Sequence, residues 1–323
     1  MKDNRNSAVE VHDLEKSFGR FTAVNRISFR VESGRIFGFL GPNGAGKSTT
    51  IKMLCGILSP TSGSGTVGGF DILTQQRKIK HNIGYMSQRF SLYEDLTVEE
   101  NINFYAGIYG LSREKKKTRK GWIIKMAGLE GMRSSLTRTL SAGWKQRLAL
   151  GCAIIHEPPI IFLDEPTSGV DPISRNNFWD IIRTMARRGT TIFVTTHYMD
   201  EAEHCDSMAL IYQGAIIAAG TPSELKANFM KGDVLKISLP DSQQWLDKLT
   251  SLPVIVESAL FGTDIHAVVS DVSTALPGVK QFLDQHKAVD YTVKPIEPSL
   301  EDVFISLIEN YDGENSRNEP EKS

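Results

Sequence analysis

The chain predicts an α/β fold centred on a largely parallel sheet, and three observations carry that expectation. The apolar run Ile36-Phe37-Gly38-Phe39-Leu40 leads directly into Gly41-Pro42-Asn43-Gly44-Ala45-Gly46-Lys47-Ser48-Thr49. A second apolar run, Pro159 to Leu163, ends in Asp164-Glu165. An amphipathic stretch over 175–188, with Phe178, Trp179, Ile181, Ile182 and Met185, is followed by Gly189 and a further strand from Thr191 to Thr196. Buried strands that alternate with helices pack as a parallel sheet with crossover helices.

The first run reads as strand, phosphate loop, helix. Gly41, Gly46, Lys47 and Ser48 fill the pattern G-x-x-x-x-G-K-[ST], and Gly44 lets further backbone N–H groups approach an anion with no Cβ between. Lys47 is placed to reach the β and γ phosphates of a nucleoside triphosphate, and the Ser48 hydroxyl to ligate Mg²⁺. The helix starting near Lys47 turns its dipole on the same anion. Carboxylates at the end of a buried strand are costly unless a metal or a hydrogen bond meets them. Asp164 suits the Mg²⁺ shell, directly or through water. Glu165, facing the other side, suits a general base that orients an attacking water. Taken alone, the two acids also read as the start of a helix; beside the phosphate loop they read as a metal and water pair.

The remaining elements follow in order. Residues 8–32 alternate in a strand-like way, through Val9, Val11, Ala23, Val24, Ile27, Phe29 and Val31, so an N-terminal β layer lies beside the phosphate loop. Over 96–157 the texture turns helical: Thr97-Val98-Glu99-Glu100 is a capping box opening a helix with Ile102, Phe104 and Tyr105 on its apolar face. Past Pro222 come strands over 233–238, 253–260, 263–269 and 289–295, with helices over 242–250, 272–286 and 299–309. This β-α-β-β-α-β order suggests a small ferredoxin-like domain, read as a regulatory or dimer-contact module. The expected organisation is an arm over 1–7, a nucleotide-binding domain over 8–228, the small domain over 231–309 and a disordered polar tail over 310–323.

Composition narrows the classes. With 323 residues and a net charge of −1, the chain has room for one large and one smaller domain and no global field for nucleic acid or an anionic bilayer. Cys55, Cys152 and Cys205 lack C-x-x-C spacing and read as buried thiols of a reducing compartment. The start MKDNRNSAVE carries no apolar signal core, and no run of about 18 apolar residues is long enough to span a bilayer. The expected place is the cytosol or a membrane surface reached through a partner. The basic run Arg113 to Lys120 reads as a solvated helix face, with contact to anionic lipid as the alternative. His12, His81, His156, His204, His266 and His286 read as structural or solvated. His197, directly after a buried strand, does not.

Between the phosphate loop and the acidic strand stands Leu140-Ser141-Ala142-Gly143-Trp144-Lys145-Gln146-Arg147, which resembles the signature motif of the ATP-binding-cassette (ABC) ATPases. The resemblance spans residues 8–225. It implies a P-loop NTPase core of RecA-like type, ATP and Mg²⁺ as cofactors, and a homodimer in which two chains face head to tail. Ser141 and Gly143 of one chain then meet the γ-phosphate held by the other. Gln88 matches the glutamine that touches Mg²⁺ and the water, Ser168-Gly169-Val170-Asp171 the loop that crosses the dimer interface, and His197 the histidine that contacts the γ-phosphate. Phe18 matches an aromatic that stacks on adenine, although its pattern alone reads as core. Thr196 to Glu203 and Glu297 to Phe304 resemble the daunorubicin-resistance-like, ABC-2 type drug-exporter branch. That likeness implies separate integral membrane permease subunits, a place at the cytoplasmic face of the membrane, and no nucleic-acid partner. Arg89, Phe90, Leu92 and Tyr93 are candidates for the permease-docking face, with ordinary loop packing as the alternative. Two departures stand out from the family's Leu-Ser-Gly-Gly-Gln: Ala142 occupies a glycine position and Trp144 the glutamine position, where it cannot copy a glutamine's hydrogen bonds to ribose and is expected to pack on the opposing chain. The competing readings are a soluble ABC ATPase acting on ribosomes or DNA, and a nucleotide sensor without turnover.

Overall fold

The computed structural model describes residues 7–230 and 232–318, which divide into a unit reaching Ala219 and a second unit from Gly220. The first opens with the antiparallel hairpin of β1 (Ser7–Phe18) and β2 (Phe21–Glu32). Alternation buries Val9, Val11 and Leu14 on β1 and Val24, Ile27 and Val31 on β2. The fully buried strand β3 (Ile36–Leu40) runs into α1 (Lys47–Leu54). The chain then adds β4 (Ser62–Val67), antiparallel to β1, and β5 (Phe70–Asp71), completing a four-stranded layer β2-β1-β4-β5. After α2 (Gln76–Asn82) and β6 (Ile83–Met86) come the three helices of the insertion, α3 (Val98–Ile108), α4 (Arg113–Met126) and α5 (Ala142–Ala153).

The central sheet is completed by β7 (Ile160–Asp164), α6 (Pro172–Arg187), β8 (Thr191–Thr196), the short α7 (Met199–Ala202), β9 (Ser207–Tyr212) and β10 (Ala215–Gly220). Its order is β10-β9-β3-β8-β7-β6. Pairs β3–β8, β3–β9, β7–β8 and β6–β7 are parallel. Strands covered on both faces read as unbroken apolar runs, which is why β3, β7 and β8 were visible in the sequence. Phe29, Phe37, Phe39, Phe162 and Phe193 fill the space between the two sheets, with the Phe193 ring centroid 5.4 Å from those of Phe37 and Phe162. Truncating one such ring to alanine costs about 3–5 kcal/mol.

The capping box of α3 is present: Glu100 N–H donates to Thr97 Oγ1 (3.2 Å) and Thr97 N–H to Glu100 Oε2 (2.8 Å). On α4 the basic run is a paired helix face. Lys115 and Arg119 reach Glu157 at 3.0 and 3.1 Å, and Lys120 pairs with Glu99. His156 is structural; it stacks on Tyr109 at 3.6 Å, and burial brings its pKa down to about 4. All three thiols are buried and free. No helix among the described residues is long and apolar enough to cross a membrane.

The second unit holds α8 (Pro222–Phe229), β11 (Asp233–Ser238), α9 (Ser242–Thr250), β12 (Ile255–Phe261), β13 (Asp264–Val269), α10 (Val272–Gln285), β14 (Thr292–Ile296) and α11 (Leu300–Asn318). Its sheet, ordered β12-β13-β11-β14, is antiparallel throughout, as the β-α-β-β-α-β reading requires. One expectation fails here. Helix α11 runs through Asn318 where a disordered tail was expected from residue 310. Extending a formed helix costs far less than nucleating one, so a polar segment without periodicity can follow a nucleated helix. Ser7 likewise opens β1 and does not belong to an arm. Residues 1–6 of the expected arm and 319–323 of the expected tail lie outside the described residues.

Candidate functional site

The phosphate loop is held by two close approaches that only glycine allows. A Cβ on Gly41 would stand 2.1 Å from the Ile211 carbonyl oxygen. Gly46, at φ +107°, would put one 2.5 Å from the Ala23 carbonyl oxygen. Gly46 also caps α1 without a side-chain bond, so the first N–H groups of the helix stay directed into the loop. Pro42, Asn43, Gly44, Ala45 and Thr49 complete the segment, with Asn43 and Gly44 exposed. Lys47 Nζ donates to the carbonyls of Gly41 (2.7 Å) and Pro42 (3.0 Å). It also lies 3.1 Å from Glu165 Oε1, with the two side chains only 4% and 6% exposed.

Strand β7 ends at Asp164, and Glu165 follows it directly. The hydroxyls of Ser48 (2.9 Å) and Thr195 (2.8 Å) both donate to Asp164 Oδ1. Burial pushes the Asp164 carboxyl above the ordinary aspartate range; those two bonds offset part of the rise, and the charge of Glu165 adds to it. Glu165 sits at φ +46°, a left-handed conformation that costs a non-glycine residue about 1–3 kcal/mol and is concentrated at functional sites. Its N–H donates to Thr195 Oγ1 (3.0 Å), which fixes the turn. Gln88 Nε2 donates to Glu165 Oε2 (2.9 Å). His197 Nδ1 lies 3.4 Å from the same oxygen but off hydrogen-bond geometry. Lys47, Ser48, Gln88, Asp164, Glu165 and His197 therefore converge. The oxygens of Ser48, Asp164 and Gln88 suit a hard cation that keeps several waters and binds mostly through phosphate. Among the described residues no group of three or more His, Cys, Asp or Glu could hold a metal ion.

Ser141, Gly143 and Asp171 do not join this cluster within one chain. Ser141 is the exposed N-cap of α5, and its hydroxyl makes no capping bond. Gly143 is buried against α6, where a Cβ would meet Ser174 Oγ at 2.4 Å. Asp171 caps α6 by accepting the Ser174 N–H (2.9 Å). Phe18 stands half-exposed at the end of β1, with Lys16 Nζ 5.2 Å from its ring centroid. Within one chain the partly buried Trp144 ring lies against Gly128 and under the Arg147 guanidinium (4.0 Å), packed on the insertion's own apolar cluster. An aromatic beside an exposed N-cap is drawn to the nearest apolar surface, and here its own helices supply it. Sequence reasoning missed Thr195 and Gln146. Both are buried polar residues, and Gln146 Nε2 donates to the Pro166 carbonyl (2.8 Å), tying α5 to the segment after β7.

Residues 24–168 match the family described as ABC transporter. Over 93% of its length the chain is 35% identical to the daunorubicin/doxorubicin resistance ATP-binding protein DrrA of Streptomyces peucetius, covering 92% of that protein. The chain belongs to the ATP-binding proteins of ABC transporters. Other members of this ATPase family are similarly close: the linearmycin resistance ATP-binding protein LnrL of Bacillus subtilis is 33% identical, with 93% and 97% of the two chains covered. The probable multidrug ABC transporter ATP-binding protein YbhF of Escherichia coli is 51% identical over 221 residues, 68% of this chain. That match spans only 38% of YbhF's own length. Among solved structures, an ATP binding subunit of an ABC transporter superposes with a TM-score of 0.63 at 31% identity, covering 69% of this ABC protein and 93% of that chain.

Proposed function

We propose that this ABC protein is the ATP-hydrolysing subunit of an exporter, working as a head-to-tail homodimer on ATP·Mg²⁺ beside separate ABC-2 type permease subunits at the cytoplasmic face of the membrane. The observation that carries it is Glu165, a buried carboxylate in a left-handed turn, 3.1 Å from Lys47 and hydrogen-bonded to Gln88. A triphosphate in the loop competes with Glu165 for Lys47. Once the ammonium turns to the phosphates, the Glu165 carboxylate is free to accept a proton from an attacking water, while Gln88 and His197 hold its orientation. Lys47 then offsets charge gathering on the transferred phosphoryl group. Ser48, Asp164 and Gln88 would hold Mg²⁺, which when bound would supply further charge neutralisation on the phosphates. The exposed Ser141 and the N–H groups at the start of α5 serve the phosphates of the opposing chain, with Asp171 near the interface and Phe18 under the adenine.

Relatives named for resistance to daunorubicin/doxorubicin and to linearmycin, and for Nod factor export, support outward transport. For the permease face, Tyr93 is 49% exposed and packs edge-on to Phe104 (4.6 Å), with Phe104 and Ile108 also exposed. Leu92 packs into the insertion core and leaves that face. Tyr93→Asp is expected to abolish transport by the assembled complex while ATP turnover of the isolated subunit stays within about twofold, since rim residues contribute little outside their interface; unimpaired transport removes the docking role.

The deciding experiment is Glu165→Gln, with Mg²⁺-ATP turnover and mass in solution measured with and without ATP. The expected outcome is a loss of about 10²–10⁴-fold in turnover and an ATP-dependent dimer. Wild-type-like turnover overturns the assignment of Glu165 as the base.

A further inference from the structure

Eight buried side-chain polar atoms lack a hydrogen-bond partner among the described residues, and three of them, Arg175 Nε, Glu201 Oε1 and His197 Nδ1, belong to one chain of contacts. Arg175 lies in the first turn of α6, next to Ser174, against which Gly143 packs. Its guanidinium carbon is 4.2 Å from the Tyr198 ring centroid. Its Nη1 and Nε are each 3.6 Å from a carboxylate oxygen, of Asp200 and Glu201 respectively. Glu201, 1% exposed, accepts from Thr196 Oγ1 (2.7 Å), and the same hydroxyl accepts the Tyr198 N–H (3.0 Å). His197 is the residue between these two bonded positions, and its ring lies 4.1 Å from that of Tyr198. A closed loop of contacts thus runs from Arg175 through Glu201 and Thr196, past His197, to Tyr198 and back to Arg175.

At 3.6 Å the Arg175–Glu201 pair is too long for a hydrogen bond, yet both atoms are sealed from water and neither bonds elsewhere. A few tenths of an ångström of movement at the start of α6 is enough to make that bond. Such a bond to a buried carboxylate is worth more than a surface pair because water does not compete for it. We infer that Arg175 and Glu201 are positioning residues that hold the Thr196–Tyr198 segment and couple the placement of His197 to the start of α6, whose N-cap is Asp171. The role rests on the ATPase reading above, in which His197 orients the water beside Glu165.

The test pairs kinetics with a signal from His197 itself. Arg175→Met keeps the stem and loses the charge; Glu201→Gln keeps the shape; Arg183→Met, two turns further along α6, is the control. In the wild-type background, Arg175→Met and Glu201→Gln are each expected to lower kcat for Mg²⁺-ATP about tenfold, or 1.4 kcal/mol, with KM within about twofold. Arg175→Lys is expected to recover part of the loss. In a His197→Ala background neither substitution should lower kcat further. The NMR signals of the His197 imidazole, in ¹⁵N-histidine protein without nucleotide, should move in both variants and stay in place in the control. Equal losses with and without His197, or unmoved ring signals in variants that remain folded, overturn the proposal. Should the wild type not hydrolyse ATP while the ring signals still move, the positioning stands and the ATPase reading fails. Should Arg175→Met not fold, the near-isosteric Glu201→Gln carries the same comparison.

Discussion

Asp164 at the end of β7 and Asp302 in the first turn of α11 are almost equally buried, 2% and 4% exposed, yet their carboxyls move in opposite directions. Burial pushes both upward. At Asp302 the rise is overcome by His266 Nδ1 (2.8 Å), the Ser299 hydroxyl (2.6 Å) and the Ser299 N–H (2.7 Å), leaving the carboxyl below the ordinary aspartate range. The Asp302 N–H returns a bond to Ser299 Oγ (3.2 Å), a reciprocal helix cap. At Asp164, among the described residues, the hydroxyls of Ser48 and Thr195 both donate to Oδ1, and a second carboxylate follows in sequence. A carboxylate with its donors in place is a structural fastener. One whose burial outweighs its hydrogen bonds is disfavoured in its charged form and is stabilised when a cation arrives, which is the property a nucleotide site needs.

The largest expected effect tests whether the nucleotide site is truly sealed. Lys47→Met leaves Glu165 buried without its partner, so unfolding of the nucleotide-free protein should lose about 3 kcal/mol, and turnover should fall at least about 10²-fold. An unchanged denaturation midpoint would mean that water screens the pair and that the two sites do not differ in kind. A smaller and sharper test is the same substitution at both aspartates. Asp164→Asn should raise the stability of the nucleotide-free protein by about 1 kcal/mol, roughly 2 °C in Tm, while weakening Mg²⁺-ATP binding. Asp302→Asn should lower stability by a similar amount with nucleotide affinity unchanged. Calorimetric shifts of the same sign at both positions would break the comparison.

The smallest effect is in the pH dependence, and its sign differs at the two sites. Asp302, lowered by folding, contributes stability above the ordinary aspartate pKa and loses it as pH falls through its lowered value. Asp164, raised by folding, favours the folded state at acid pH and loses that contribution as pH rises through its raised value. The gain from Asp164→Asn should therefore vanish below the ordinary aspartate range, grow as pH rises toward the raised value and level off above it, whereas the loss from Asp302→Asn should shrink toward acid. Urea denaturation at a series of pH values reads both; a gain from Asp164→Asn that persists in acid would assign it to packing and not to charge.

How far the chain could be read in advance varied with the reach of each interaction. Strand β11 and helix α9 fall on the residues expected from pattern, and the capping box of α3 has the bonds its spacing implies. Lys47, Ser48, Asp164, Glu165 and His197 were legible as candidates because each sits within or beside a local pattern, whereas Gln88 came only from the resemblance to the family. Thr195 was not, although it bonds both acids, since its partner Asp164 lies 31 positions away. The neighbours of Trp144 within its own chain were hidden for a related reason: which apolar surface an aromatic finds depends on what the packing brings near. Helix α11 outran its periodic segment because helix continuation needs no apolar stripe.

The order of strand, phosphate loop and helix, the alternation of the outer layer and the antiparallel character of the second unit were settled by residue identity and spacing. Glycine placement and hydrophobic period act over a few residues and need no partner to be read. Which aspartate is fastened and which is left needing a cation was settled by packing. That choice depends on donors 31 and 36 positions distant, from Thr195 to Asp164 and from His266 to Asp302. Burial and hydrogen-bond count are properties of the folded environment, so two chemically identical side chains acquired opposite charge preferences only once the chain had closed around them.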